Sequence, residues 1–153
     1  MANTYTQLGI HIVSAVKHRK MLIHPKWQHR VEAFLKTVVE ERDHTMLQVR
    51  MRPDHLHAFI GLHPKDSISN LVGSFKAQCS GFITRTFDIE FDWQRGYGAF
   101  SVSKSLWPTV RQYIANQDEH HAHQDFSDEY IALLEEHEVK YDPRYLFDDV
   151  YLG

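Results

Sequence analysis

One cysteine, Cys79, stands among 153 residues, so no disulfide can form within the chain. That scarcity makes a reducing cytoplasm the expected location. A lone thiol inside a helical apolar pattern reads as a small buried hydrophobe rather than a nucleophile. No apolar run approaches the ~20 residues that a membrane span needs. The opening Met1-Ala2-Asn3-Thr4 lacks the basic-then-apolar layout of a secretion signal. Internal repeats and low-complexity linkers are also missing, so the expected organisation is one domain over 1–153, with a core from about 8 to 125 and an acidic helix and tail over 126–153. The hydrophobic fraction of 42% is ordinary for a chain that buries one core.

A basic excess is lacking too, since the net charge is -3, but the charge is divided unevenly. The first 110 residues carry 14 Lys+Arg against 9 Asp+Glu, a balance of +5, and residues 111–153 carry 3 against 11, a balance of -8. The first part can therefore present a basic face to a polyanion while the last part packs or binds elsewhere. A solvated acidic helix explains the second part equally well.

What is present is a pattern of short elements. Gln7 to Val16 mixes alternation with β-branched residues and reads as a strand. Pro25 stands where a helix can start, and Val31, Phe34, Leu35 and Val38 form a helical stripe from Trp27 to about Asp43. Thr45 to Arg52 alternates as a second strand. Pro53-Asp54 signals a turn, and His55 to Leu62 returns as a third strand. A second helix, capped by Asp66 or Ser67, runs to about Phe87. Ala99 to Val102 is a fourth strand. A third helix is expected from about Leu106 to His120 with Pro108 in its first turn, and a fourth from Ser127 to about His137. The aromatic tail Tyr141 to Phe147 is expected to dock on a surface. The order β-α-β-β-α-β predicts an α+β fold, the ferredoxin-like split βαβ plan: an antiparallel sheet with helices on one face plus C-terminal helices.

Two stretches can carry chemistry. In Asp54-His55-Leu56-His57-Ala58, residues two apart on a strand share a face, so His55 and His57 project together while Leu56 and Ala58 face a core. Two neutral imidazoles make half of a metal site, or a solvated pair on a half-buried strand. Tyr113 and Gln117 lie four apart, one helical turn from each other on one face. A phenol attacking phosphorus benefits from a divalent ion on the phosphate, and an amide oxygen is a hard ligand suited to Mg²⁺ or Mn²⁺. Taken singly, Tyr113 also reads as an interfacial or core aromatic and Gln117 as a surface polar residue.

Together, His55-Leu56-His57, Tyr113 to Gln117 and His120-His121 resemble the single-tyrosine HUH transposases of small bacterial insertion sequences, the IS-two-hundred-like family. Lys17-His18-Arg19, the helix bearing Lys76, and Trp93 to Val102 extend the resemblance over about residues 8 to 147. The resemblance implies a DNA transposase that binds single-stranded DNA hairpins at element ends. Tyr113 would attack a backbone phosphate, leaving a 5′-phosphotyrosine and a free 3′-OH. His55, His57 and Gln117 would hold Mg²⁺ or Mn²⁺. No nucleotide cofactor is implied, because bond energy is kept in the covalent intermediate. A homodimer is implied, often with the tyrosine helix of one chain facing the histidine pair of the other.

His121 falls on the face of Gln117 and Tyr113, as an extra ligand, a proton carrier, or a plain helix-end histidine favoured by the dipole. For DNA contact the candidates are Lys17, Arg19, Arg50, Arg52, Lys76 and Arg85, with Trp93 or Tyr97 as stacking surfaces. The alternatives are a non-catalytic, domesticated DNA-binding relative and a metal-dependent phosphodiesterase that uses water.

Overall fold

The computed structural model describes residues 3–121 and 124–147, so the last six residues of the expected acidic segment lie outside the described residues. Four strands form one antiparallel sheet: β1 (Gly9–Ala15), β2 (Thr45–Met51), β3 (His55–Gly61) and β4 (Gly98–Val102), in the order β2-β3-β1-β4. The histidine strand β3 is central, as the split βαβ plan requires.

Period-two alternation decides what each side of the sheet meets. Ile10 and Ile12 of β1 and Leu56, Ala58 and Ile60 of β3 face α1 (Gln28–Glu41) and α2 (Ile68–Phe87), forming the larger core with Leu35, Leu71 and Phe75. Ser67 caps α2 by accepting a hydrogen bond from the Asn70 amide. Cys79 lies fully buried in this core, and burial pushes its thiol up to about 12, which makes it inert. Phe75 is fully buried in the same layer. Truncation to alanine is therefore expected to cost about 3–5 kcal/mol, read as a lowered urea midpoint; a loss under about 1 kcal/mol would contradict this packing.

The other face meets the C-terminal helices: α3 (Trp107–Ala115), α4 (Gln117–His120) and α5 (Phe126–Glu136). Val13, Ala15 and Phe100 pack there against Phe126, Tyr130, Leu133, Leu134 and Phe147. Two glycines permit the close approach. A Cβ on Gly9 would meet the Trp107 ring at 2.5 Å, and one on Gly98 would meet Tyr130 at 2.8 Å. The aromatic tail docks as expected, with Phe147 buried and the Arg19 guanidinium 4.4 Å over its ring.

The expected third helix differs. It is not continuous from Leu106 to His120, because Asn116 leaves helical geometry (φ -95°, ψ 22°) and separates α3 from α4. The fourth helix starts one residue earlier than Ser127, because Asp125 caps it through the Asp128 amide. Among the described residues, no helix is long and apolar enough to cross a membrane.

Candidate active site

β3 delivers His55 and His57 to the face covered by the C-terminal helices, both fully buried. Each ring is held from behind. Asp54 Oδ1 lies 2.7 Å from His55 Nδ1, and His11 Nε2 lies 2.8 Å from His57 Nδ1. With both Nδ1 atoms so engaged, the two Nε2 atoms turn inward. That is how imidazoles are oriented before they bind a cation. His11 comes from β1, is buried, and stacks on His57 at 5.0 Å between ring centroids. Burial, followed by the neighbouring His57, holds His11 well below the usual histidine range, so it rests neutral.

α4 and α5 close the ring of donors. Gln117 Oε1 lies 3.1 Å from His55 Nε2 and 3.1 Å from His121 Nε2. Glu129, at 1% exposure, sits at the centre. Its Oε1 is 3.1 Å from both His57 Nε2 and His121 Nε2 and 3.5 Å from His55 Nε2. Its Oε2 accepts from Gln117 Nε2 at 2.8 Å and from the Tyr113 hydroxyl. A buried carboxylate is expensive unless partnered, and this one has four hydrogen-bond partners. Burial alone would raise its pKa, but the hydrogen bonds from His121 and His57 hold it below the usual carboxylate range.

Tyr113, on α3, joins the same cluster within one chain. Its ring is 5.9 Å from His57 and 4.6 Å from His120, centroid to centroid. Burial and then the Glu129 carboxylate push the phenol up, so it rests protonated. A second chain is therefore not needed to bring phenol and imidazoles together. The kink at Asn116 does not part Tyr113 from Gln117, because both side chains meet on Glu129.

The donor set suits a divalent cation. Three imidazole nitrogens, an amide oxygen and a carboxylate oxygen converge, and the facing atoms of His55, His121 and Glu129 all lie within 4.8 Å of one another. His121 follows α4 as its C-cap, where the dipole alone would favour a histidine, yet its ring turns into this cluster. Glu129 and His11 went unnoticed in the sequence. For Glu129 a signal existed: it falls three after Phe126 and four before Leu133, on the buried stripe of α5.

If His11 orients His57, His11→Phe is expected to weaken Mn²⁺ binding by roughly 10- to 100-fold, read by calorimetry. Unchanged affinity would reduce His11 to a packing residue.

The six basic candidates fall into different settings, Arg19 lying over the Phe147 ring. Lys17 faces Asp92 at 3.8 Å, and Arg85 is exposed in the last turn of α2. Arg50 donates to the Ala115 carbonyl at 3.3 Å, beside the Asn116 kink, and Arg52 pairs with Asp118. Lys76 donates to the carbonyls of Gln94 and Gly96 at 2.8 and 2.6 Å, tying that loop to α2. Trp93 is not a stacking surface: it is 6% exposed and packs edge-on against Phe91, because Val16 bridges its backbone to β1. Tyr97 stays 38% exposed.

A family model for IS200-like transposases matches residues 4–117. The transposase for insertion sequence element IS200 of Salmonella typhimurium LT2 is 28% identical over 124 residues, covering 76% of this chain and 81% of its own length. The protein of that description from Salmonella typhi matches equally. A crystal structure of a candidate transposase from Deinococcus radiodurans R1 superposes with TM-score 0.63 at 19% identity, over 76% of this chain and 95% of that one. A REP-associated tyrosine transposase bound to a REP hairpin gives TM-score 0.59 at 16% identity, over 79% and 73%. The two solved structures share the fold, and the family match, which spans most of the sequence and ends on Gln117, shows that the chain belongs to the IS200-like transposases.

Proposed function

We propose that this transposase cleaves and rejoins single-stranded DNA through Tyr113, with hairpins marking the ends of the element. One observation carries the reading: a half-buried phenol, two strand-borne imidazoles and the Gln117 amide NH2 converge on the Glu129 carboxylate, with the amide oxygen turned to His55. Phosphate transfer to tyrosine needs a nucleophile held in line and a strong field on the phosphate oxygens.

In the step proposed, the Tyr113 oxygen bonds to phosphorus and the bond from phosphorus to the 3′-oxygen breaks. The phenolic proton leaves along the hydrogen bond already formed to Glu129. The departing 3′-oxygen takes up a proton and becomes a hydroxyl. Rejoining reverses this sequence with another 3′-OH, so no nucleotide cofactor enters. His55, His57 and Gln117, with Glu129 and His121 adjoining, would hold Mg²⁺ or Mn²⁺. Such an ion, when bound, neutralises phosphate charge and polarises phosphorus. Glu129 keeps the phenol aimed, while Asp54 and His11 keep the imidazoles turned inward.

The hairpin reading is supported by the family and by the relative described as bound to a REP hairpin. Lys17, Arg19, Arg52 and Arg85 are the side chains proposed to meet the DNA backbone. A homodimer of this chain would carry two sites, each completed within one subunit. The test is covalent trapping of a labelled hairpin oligonucleotide with Mg²⁺ or Mn²⁺ on a denaturing gel. An adduct supports the strand transferase, cleavage without an adduct supports a water-using phosphodiesterase, and binding alone supports a non-catalytic relative.

A further inference from the structure

A cleft of about 550 Å³ opens beside Tyr113, bordered by His11 and His137 and without His55, His57, Gln117, His121 or Glu129 in its described lining. Leu106, Val110 and Leu133 form its apolar wall, and Tyr113 and His11 stand in its lining with ring centroids 6.3 Å apart. We infer that this cleft receives the nucleobase next to the phosphate that Tyr113 attacks. The inference rests on the strand-transferase reading, which puts that phosphate at the phenol.

Chemistry separates the two sides of the tyrosine. Toward Glu129 lie the imidazoles and the amide, which suit a charged phosphate. Toward the cleft, the described lining residues include the His11 and His137 imidazoles and the Glu136 carboxylate but no lysine or arginine, so it does not suit a second phosphate. An aromatic ring beside aliphatic walls suits a flat, weakly polar base lifted from its neighbours. Leu106 is 52% exposed at the mouth, a large apolar side chain that a bound base would cover. The volume falls in the range of small-molecule sites.

The lining also holds groups able to read a base edge. The Ser103 and Thr109 hydroxyls donate or accept, and the Glu136 carboxylate only accepts. A carboxylate there favours a base with an exocyclic amino group over thymine. The cleft is thus proposed to add a base preference at one nucleotide beside the cleavage point.

The test uses the full chain with ¹³C-labelled methyl groups, titrated with four single-stranded trinucleotides that differ only in the central base. The methyl signals of Leu106, Val110 and Leu133 are expected to shift, most with an amino-bearing base, while those of Leu56 and Ile60 behind the sheet stay put. Thr109→Trp, at an exposed position, fills the cleft and is expected to weaken trinucleotide binding tenfold or more. Signals that ignore all four trinucleotides, that follow protein concentration alone, or that respond equally in Thr109→Trp would overturn the assignment. Adduct trapping is read separately. Cleft shifts without an adduct keep the base site and remove the strand transferase; an adduct without cleft shifts does the reverse.

Discussion

Tyr113→Phe is expected to yield a folded protein that binds hairpin DNA but forms no covalent adduct, with cleavage reduced about ten-thousandfold or more. Losses of that order follow when a nucleophile is removed and binding is left intact. The fold should survive because the ring stays: it keeps its contacts with His57 and His120, and only the hydroxyl goes. Glu129 loses one of its four hydrogen-bond partners but keeps Gln117, His57 and His121, so the stability cost should be about 1 kcal/mol. A denaturing gel reads the adduct and thermal unfolding reads the fold. If the phenylalanine variant still cut the strand at a rate near wild type, water would be the nucleophile.

Glu129→Ala should do more to the protein and nearly as much to the reaction. It strips the shared acceptor from Tyr113 and Gln117 and leaves the Nε2 atom of His57 facing a void, while His121 keeps the Gln117 amide oxygen. Each buried polar group without a partner costs ~1–3 kcal/mol. With partial relaxation, about 2–4 kcal/mol of stability should go, read as a lowered urea midpoint without added metal. The phenol, no longer beside an anion, should ionise at lower pH than in the wild type. Glu129→Gln separates charge from shape. It keeps the volume and several hydrogen bonds, so stability should recover while Mn²⁺ affinity and adduct formation stay low. Wild-type adduct yield in Glu129→Gln would confine the carboxylate to packing.

How much of this could be read beforehand depends on the range of the contact. The face shared by His55 and His57, the apolar backing of Leu56 and Ala58, and the central place of their strand follow from alternation and element order, which are local. The approach of Tyr113 to Gln117 follows from spacing alone and survives the kink at Asn116. Glu129 does not follow in that way. It meets His57 across 72 residues of chain, and its neighbours Asp128 and Tyr130 make it look like an ordinary acidic first turn. His11 sits in a run of strand residues with nothing to mark it until β1 lies beside β3. The aromatic, glycine-rich surroundings of Trp93 suggest an exposed loop, whereas a single backbone bridge to Val16 draws the ring into the core.

The division of β3 into two faces should be visible to a mutational scan that scores protein abundance and DNA joining separately. Changes at Leu56, Ala58 and Ile60 would deplete the polypeptide itself, and surviving molecules would still work. Changes at His55 and His57 would abolish joining outright, with a smaller loss of abundance because Glu129 is left short of a partner. A seven-residue strand would then show two interleaved phenotypes, switching at every step along the gene.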